Sequence, residues 1–553
     1  MRLHLLPAFL LPCMAFALGA CGQAGEGWPV EPDDPAAGYQ PGPALPPDDP
    51  GPADLTFEID ATRDARAISP FIYGTNQPDW TGKSRYLPFA RSGGNRFTAF
   101  NWENNASNAG SDWSNQNDAY LGSSDMPGDS PRAWTEAAHS AGASLLMTVP
   151  MLGHVAADKS PEGDVNQTAD YLQTRFHASV ARKDGAFSFP PDTADRVVYQ
   201  DEFVAWLESE FPHVRTDPSR TLFYSLDNEP DLWAGTHPRL HPEPATYDEL
   251  SRKSTELASA IKDVAPEALV FGPASYGWHG FKTLQDAPDG GGRDFLDFYL
   301  QEMRRAESAH GRRLLDVLDI HWYPEATGGG VRITGQESSP EVAAARVQAP
   351  RSLWDPGYVE SSWIADFSTL GPIRLLPWLQ EKIDAHYPGT RLAVTEYNYG
   401  GGGHISGGVA QADVLGVFGR EGVFAAALWE LAEDQRFIHA GFDMFRSYDG
   451  NGGAFGDISV RAETPDSERT SVYASVDTSK PGRMVLVAIN RSTEPLTAGF
   501  RIAAPDAYRR AEVYRLTESA PAPVRDADLA IERTNAFSLS LPAMSVSTIV
   551  LER

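Results

Sequence analysis

Two glutamates stand at the ends of strand-like apolar runs. Thr221–Leu226 leads into Asp227, Asn228, Glu229 and Pro230, and Arg391–Thr395 leads into Glu396, Tyr397 and Asn398. A third run, Leu314–Ile320, leads into His321, Trp322, Tyr323 and Pro324. In a parallel barrel the C-terminal strand ends open into one cleft. One strand from Ala268 and one from Leu314 separate the two glutamate-bearing strands, which sets the glutamates facing each other across the mouth. Facing carboxylates are what glycoside hydrolysis requires: one protonated to assist the leaving oxygen, one ionised to attack the anomeric carbon. Asn228 is placed to hydrogen-bond the neighbouring sugar hydroxyl. His321 and Tyr323 are expected beside the second carboxylate, orienting it. An acidic residue at a strand end is more often a helix cap or ion-pair partner, so the argument rests on the pair with the His-x-Tyr between them.

The elements that must hold these residues alternate. Strand-like Leu145–Met151 is followed by an amphipathic helix over Tyr199–Phe211. Helices over Tyr247–Val264, Phe295–Ala306, Pro372–His386 and Gly408–Arg420 then separate strands at Ala268–Gly272, Leu314–His321, Arg391–Glu396 and Val423–Leu431. Such alternation predicts parallel βαβ units, and its length suits an α/β fold of the (β/α)8 TIM-barrel type over residues 71–445. After 446 short alternating strands follow without helices: Thr470–Val476, Met484–Ile489, Arg510–Tyr514, Phe537–Leu541 and Val546–Leu551. They predict an all-β sandwich over 446–553, with residues 55–70 supplying its first strand or strands. Arg91 and Asn95 follow the presumed first barrel strand, where either contacts substrate or braces a carboxylate. Trp322 and Trp429 lie at strand ends and are read as sugar-stacking rings of the cleft. Trp80, Trp102, Trp113, Trp233 and Trp278 are read as loop or core residues.

Residues 1–20 read as an export signal: Arg2, an apolar run too short to span a bilayer, then small residues. Leu18-Gly19-Ala20-Cys21 resembles a bacterial lipobox, which implies cleavage before Cys21, its lipidation, and an outer-membrane or cell-surface lipoprotein. The membrane is then met through a lipid anchor only. Residues 22–54 hold nine Pro and seven acidic residues with no Lys or Arg, so residues 21–54 read as the anchor cysteine and an extended tether. The two cysteines, Cys13 and Cys21, both belong to this segment. The chain carries 46 basic and 75 acidic residues, a net charge of −29. That balance excludes nucleic acid as a partner through any general basic face and suits a neutral one. A monomer is expected. No zinc-protease helix motif, serine nucleophile elbow or phosphate loop occurs. His237 and His241 lie in a Pro-containing loop and read as non-ligands. No cofactor is required and no metal ligand is assigned. A structural calcium ion is compatible with the acidity, without assignable ligands.

Longer strings go further. YSLDNEPDLW (224–233), DIHWYPE (319–325), TEYNYGGG (395–402), RSGGNRFTAFNWENNASNAGSDW (91–113) and TVPMLGHVAADKS (148–160) resemble glycoside hydrolase family 44. The resemblance covers residues 55–553. It implies an endo-acting, configuration-retaining β-1,4-glucanase or xyloglucanase that acts on β-glucan polysaccharide. It also implies Glu229 as general acid/base, Glu396 as nucleophile, and Asn228, His321 and Tyr323 in support. Without the resemblance, a barrel-plus-sandwich xylanase or arabinofuranosidase, or a non-catalytic glycan-binding lipoprotein, would fit the same elements.

Overall fold

The computed structural model describes residues 35–553; the expected export signal, Cys13 and Cys21 lie outside the described residues. Eight parallel strands close into a barrel: Gly74–Thr75, Phe89–Ser92, Ser144–Val149, Leu222–Leu226, Val270–Ser275, Val317–Trp322, Arg391–Tyr397 and Ala425–Leu428. The expected (β/α)8 barrel with an all-β module is therefore the fold. Strands 144–149, 222–226, 270–275 and 317–322 are buried at every position. Helices outside and side chains inside cover both faces, so these strands read as unbroken apolar runs. Phe71, Phe89, Phe223, Phe271 and small residues of the last strands fill the interior at the N-terminal end. The other end is left for polar groups.

The helices form where the sequence supplies both a stripe and a cap. In Tyr247–Val264 the Thr246 hydroxyl accepts from the Glu249 amide, and Leu250, Ser254, Leu257, Ala258 and Ile261 make the buried face. Helices Gln200–Glu210, Phe295–His310, Leu375–His386 and Ile405–Glu421 fall within a few residues of expectation.

Three features differ from the sequence reading. Arg91 does not follow the first barrel strand but lies within the second, because Gly74–Thr75 precedes it. A two-residue strand carries no periodicity to detect. Strands Ile458–Glu463, Leu496–Ala503 and Ala520–Arg525 and helix Arg436–Arg446 are additional to the expected set. Finally, the C-terminal part of the expected tether is not free. The Leu45 amide donates to the Ala504 carbonyl at 2.8 Å, Asp48 N to Thr534 O at 2.9 Å, and the Tyr39 hydroxyl to Ala61 O at 2.9 Å. Proline leaves few donors, yet several of those that remain are spent on the edge of the sandwich.

The sandwich is a curled sheet in which Leu55–Asp60 runs parallel to Leu496–Ala503 and antiparallel to Ile458–Glu463. Phe57, Phe500 and Phe537 centre its core. It is fixed to the barrel through Asp413 on helix Ile405–Glu421, which accepts from Ser471, Tyr473 and Arg491. Gly416 lets that helix approach, since a Cβ there would lie 2.3 Å from the Tyr473 ring. Among the described residues no helix is long and apolar enough to cross a membrane.

Candidate active site

The fourth strand ends in a strained turn. Asp227 and Glu229 hold φ of 61° and 42°, a left-handed conformation costly for residues with a Cβ. Asp227 stabilises it: Oδ1 accepts from the Thr98 hydroxyl at 2.6 Å and the Asn228 amide at 2.7 Å, and Oδ2 accepts from the Met151 and Leu152 amides. The Glu229 amide donates to the Ala274 carbonyl at 3.0 Å, tying the turn to the fifth strand. Asp231 reinforces that tie by accepting from the Tyr276 amide at 2.9 Å. Glu396 sits inside the seventh strand, whose Thr395 hydroxyl donates to buried Asp319 at 2.7 Å.

Glu229 and Glu396 meet across the mouth with His321 between them; one donor atom from each lies within 4.8 Å of the others. Glu396 receives donors on both oxygens. Arg91 Nη1 donates to Oε1 at 2.7 Å and the Tyr323 hydroxyl to Oε2 at 2.8 Å. His321 departs from expectation: its Nδ1 is 2.9 Å from Glu229 Oε1 and 3.6 Å from Glu396 Oε2, so it belongs first to the other carboxylate. Burial lowers His321 to about 3 and keeps the ring neutral. Burial also raises Glu229 to about 7, Arg91 pulling down against it and Asp112 adding to it. Asp231 and Asp319, buried beside the two glutamates, are each raised to about 7, again chiefly by desolvation.

Arg91 is 1% exposed and is a brace rather than a surface contact. Besides Glu396 it donates to Asn76 Oδ1 at 3.1 Å and Asn228 Oδ1 at 2.7 Å. Asn95 lies at the rim, where its Oδ1 accepts from Asn228 Nδ2 at 3.2 Å. Trp429 is half-buried at the mouth, its ring so near Gly94 that a Cβ there would fall 2.5 Å from it. Trp322 is a correction. It is 2% exposed, packed in the core and stacked on Phe281 at 6.4 Å, not open to the cleft. Successive strand residues point to opposite faces, so with His321 inward Trp322 points outward. Cys21 lies outside the described residues. Asn76, Asp227, Asp231 and Asp319 were not singled out in the sequence. Asn76 directly follows the first barrel strand and was findable by the strand-end rule that found the glutamates.

The Glu229, His321 and Glu396 donors are close enough to suggest a cation, but both Glu396 oxygens already face donors, one of them a guanidinium. That arrangement opposes a second positive charge. His237 and His241 do not share a site: His237 Nδ1 is paired with Thr236 and His241 with Glu249. Asp231 Oδ1 beside the site is a buried acceptor without a partner, and others lie away from it. Glu103 Oε1 and Glu202 Oε2 are buried without a hydrogen-bond partner. Burial, with the charges of Asp195, Glu202 and Asp192, raises Glu103 to about 8. Glu202 already accepts from the Lys183 ammonium and Glu103 is a neutral acid near pH 7, so these oxygens are not assigned to a cation.

The family model of glycoside hydrolase family 44 matches residues 106–326. The chain is similar to endoglucanase A of Paenibacillus lautus, at 42% identity over 516 residues, covering 90% of this chain and 73% of that protein. It is similar in structure to a family 44 xyloglucanase of Paenibacillus polymyxa solved with xyloglucan. There the TM-score is 0.86 at 40% identity, covering 90% of this chain and 99% of the other. A family 44 endoglucanase from Clostridium thermocellum gives a TM-score of 0.85 at 41% identity with the same coverage.

Proposed function

The chain belongs to glycoside hydrolase family 44, and from that premise we propose that it cleaves internal β-1,4 bonds of glucans such as xyloglucan with retention of configuration. Glu229 is the acid/base of this reading and Glu396 the nucleophile. The supporting observation is the approach of the two glutamates, one oxygen of each lying within 4.8 Å of the other. Retaining enzymes keep their carboxyl groups about 5–5.5 Å apart, whereas inverting ones need about 6.5–9.5 Å to admit a water.

Glu229 gives its proton to the glycosidic oxygen as the C–O bond breaks. Glu396 forms a bond to the anomeric carbon from the opposite face. Arg91 and Tyr323 hold its two oxygens, so the attacking carboxylate enters the reaction already oriented. Glu229, now ionised, takes a proton from water, which attacks the same carbon and releases Glu396. Neutral His321 contacts Glu229 without placing a second cation in the cleft. Trp429 at the mouth supplies a ring on which a neutral sugar stacks.

The experiment is the anomer first released from a reduced cello-oligosaccharide, followed by proton NMR. The β anomer is expected first, and initial release of the α anomer would overturn the reading. Rates on xyloglucan, carboxymethylcellulose, xylan and an aryl arabinoside give the substrate class. The reading extends to export with lipidation of Cys21. Loss of fatty-acid labelling in Cys21→Ser is the expected result, and unchanged labelling would exclude it.

A further inference from the structure

A line of directional hydrogen bonds runs from the rim of the cleft to Glu396. Asn95 Nδ2 donates to both oxygens of Asp112, at 3.1 and 3.2 Å. Asn95 Oδ1 accepts from Asn228 Nδ2 at 3.2 Å, Asn228 Oδ1 accepts from Arg91 Nη2 at 2.7 Å, and Arg91 Nη1 donates to Glu396 Oε1 at 2.7 Å. A side-chain amide can face either way, so two amides in series need their direction set from outside. Here both ends set it. A carboxylate only accepts and a guanidinium only donates, and the two amides between them have one orientation that satisfies both.

The rim end is held in place although Asp112 itself is exposed. Two residues earlier, Gly110 has φ +54°, and a Cβ there would fall 2.2 Å from the Thr236 carbonyl. Thr236 closes the short helix Trp233–Thr236 just past Glu229. The loop bearing Asp112 therefore rests on the segment that carries the acid/base.

We propose that Asp112 is a positioning residue for this reaction, fixing the amides of Asn95 and Asn228 and through Arg91 the placement of Glu396. This rests on the assignment of Glu229 and Glu396 above. With its amine turned to Asn95, Asn228 keeps one amide hydrogen without a protein partner among the described residues, available to a sugar hydroxyl. Asp112 also acts at a distance on Glu229, where its negative charge adds to the effect of burial. The other groups facing Glu229 are Arg91, Asp231, Tyr276, His321, Tyr323 and Glu396. The substitution alters none of them chemically, although Arg91 and Glu396 are the two whose placement the amides transmit.

The test compares Asp112→Asn and Asp112→Glu with the unaltered full chain on xyloglucan across pH. In Asp112→Asn the charge is gone, Asn95 Nδ2 loses its ionised acceptor, and the direction of the amides is set from the Arg91 end alone. Its kcat should fall about tenfold or more with KM within about twofold, and the basic limb of kcat/KM should move to lower pH. Asp112→Glu should recover part of both. A basic limb left at its original pH, or an unchanged kcat, overturns the proposal, whatever the melting temperature does. Failure of the underlying assignment has its own sign: Glu229→Gln would retain the basic limb.

Discussion

If Glu229 is the acid, the enzyme should lose activity as pH rises through the range set by its burial. Its carboxyl is raised to about 7. The proton needed by the leaving group is then present on half the molecules at pH 7, roughly one in eleven at pH 8 and about one in a hundred at pH 9. The sign follows from the role: the protonated form is the active one, and raising its pKa extends it upward in pH. Glu229→Gln removes the titrating group but keeps its shape. General acid assistance is worth about 10²–10⁴-fold, or roughly 3–5 kcal/mol of barrier, so kcat/KM on xyloglucan should drop by that factor and lose its basic limb. The assay is initial release of reducing ends from pH 5 to 9, repeated with aryl cellobiosides of falling leaving-group basicity. A good leaving group needs no proton, so the first bond cleavage in Glu229→Gln should recover as the aryl group becomes more acidic. Deglycosylation, which needs Glu229 as base, should stay slow. A basic limb persisting in Glu229→Gln, or an equal loss for all leaving groups, would refute the reasoning.

Two further outcomes follow from particular contacts. Arg91→Met leaves buried Glu396 without its cation. Folding stability by urea titration should fall about 3–5 kcal/mol, and the basic limb should move to higher pH, because Arg91 holds Glu229 down. Asp413→Ala removes the acceptor for Ser471, Tyr473 and Arg491 between barrel and sandwich. It should cost about 3–5 kcal/mol in the same titration while the folded fraction keeps its kcat.

What the sequence disclosed depended on how far apart the decisive atoms lie along the chain. Strands such as Leu222–Leu226 and helices such as Tyr247–Val264 carry their own signal in an apolar run or a capped stripe. Glu229 and Glu396 were legible because the barrel turns a local feature, a strand end, into a shared place. The contacts of Arg91 were not, since its guanidinium meets residues far along the chain on the first, fourth and seventh strands' ends. Brace and substrate contact look alike until those partners are known. Trp322 was misplaced for a reason the sequence did contain: strand alternation allows only one of His321 and Trp322 to face inward. The seated stretch from Tyr39 to Asp54 was hidden by its composition, because proline and acid content report stiffness and solubility but not whether a neighbouring sheet edge needs donors.

The two glutamates are chemically identical, and depth does not assign their roles. Glu396 is the more buried, with 7% of its side chain exposed against 14% for Glu229. What separates them is the character of the groups that touch them. Both Glu396 oxygens are occupied by donors, a guanidinium and a phenol, which is the environment of a carboxylate that accepts. Among the described residues Glu229 touches a neutral imidazole and no cation, so burial acts on it nearly unopposed. Arg91 nevertheless acts on both: it binds one directly and pulls the other down from a distance. Its placement is therefore a compromise. Closer to Glu229 it would drain the proposed acid of its proton near neutral pH, and further from Glu396 it would leave the proposed nucleophile unoriented. Asn228 sits on the second arm of the same guanidinium, and the amides behind it run back to Asp112. In the proposed relay, a residue at the rim helps decide where the cation in contact with Glu396 points, and with it how differently two like side chains behave.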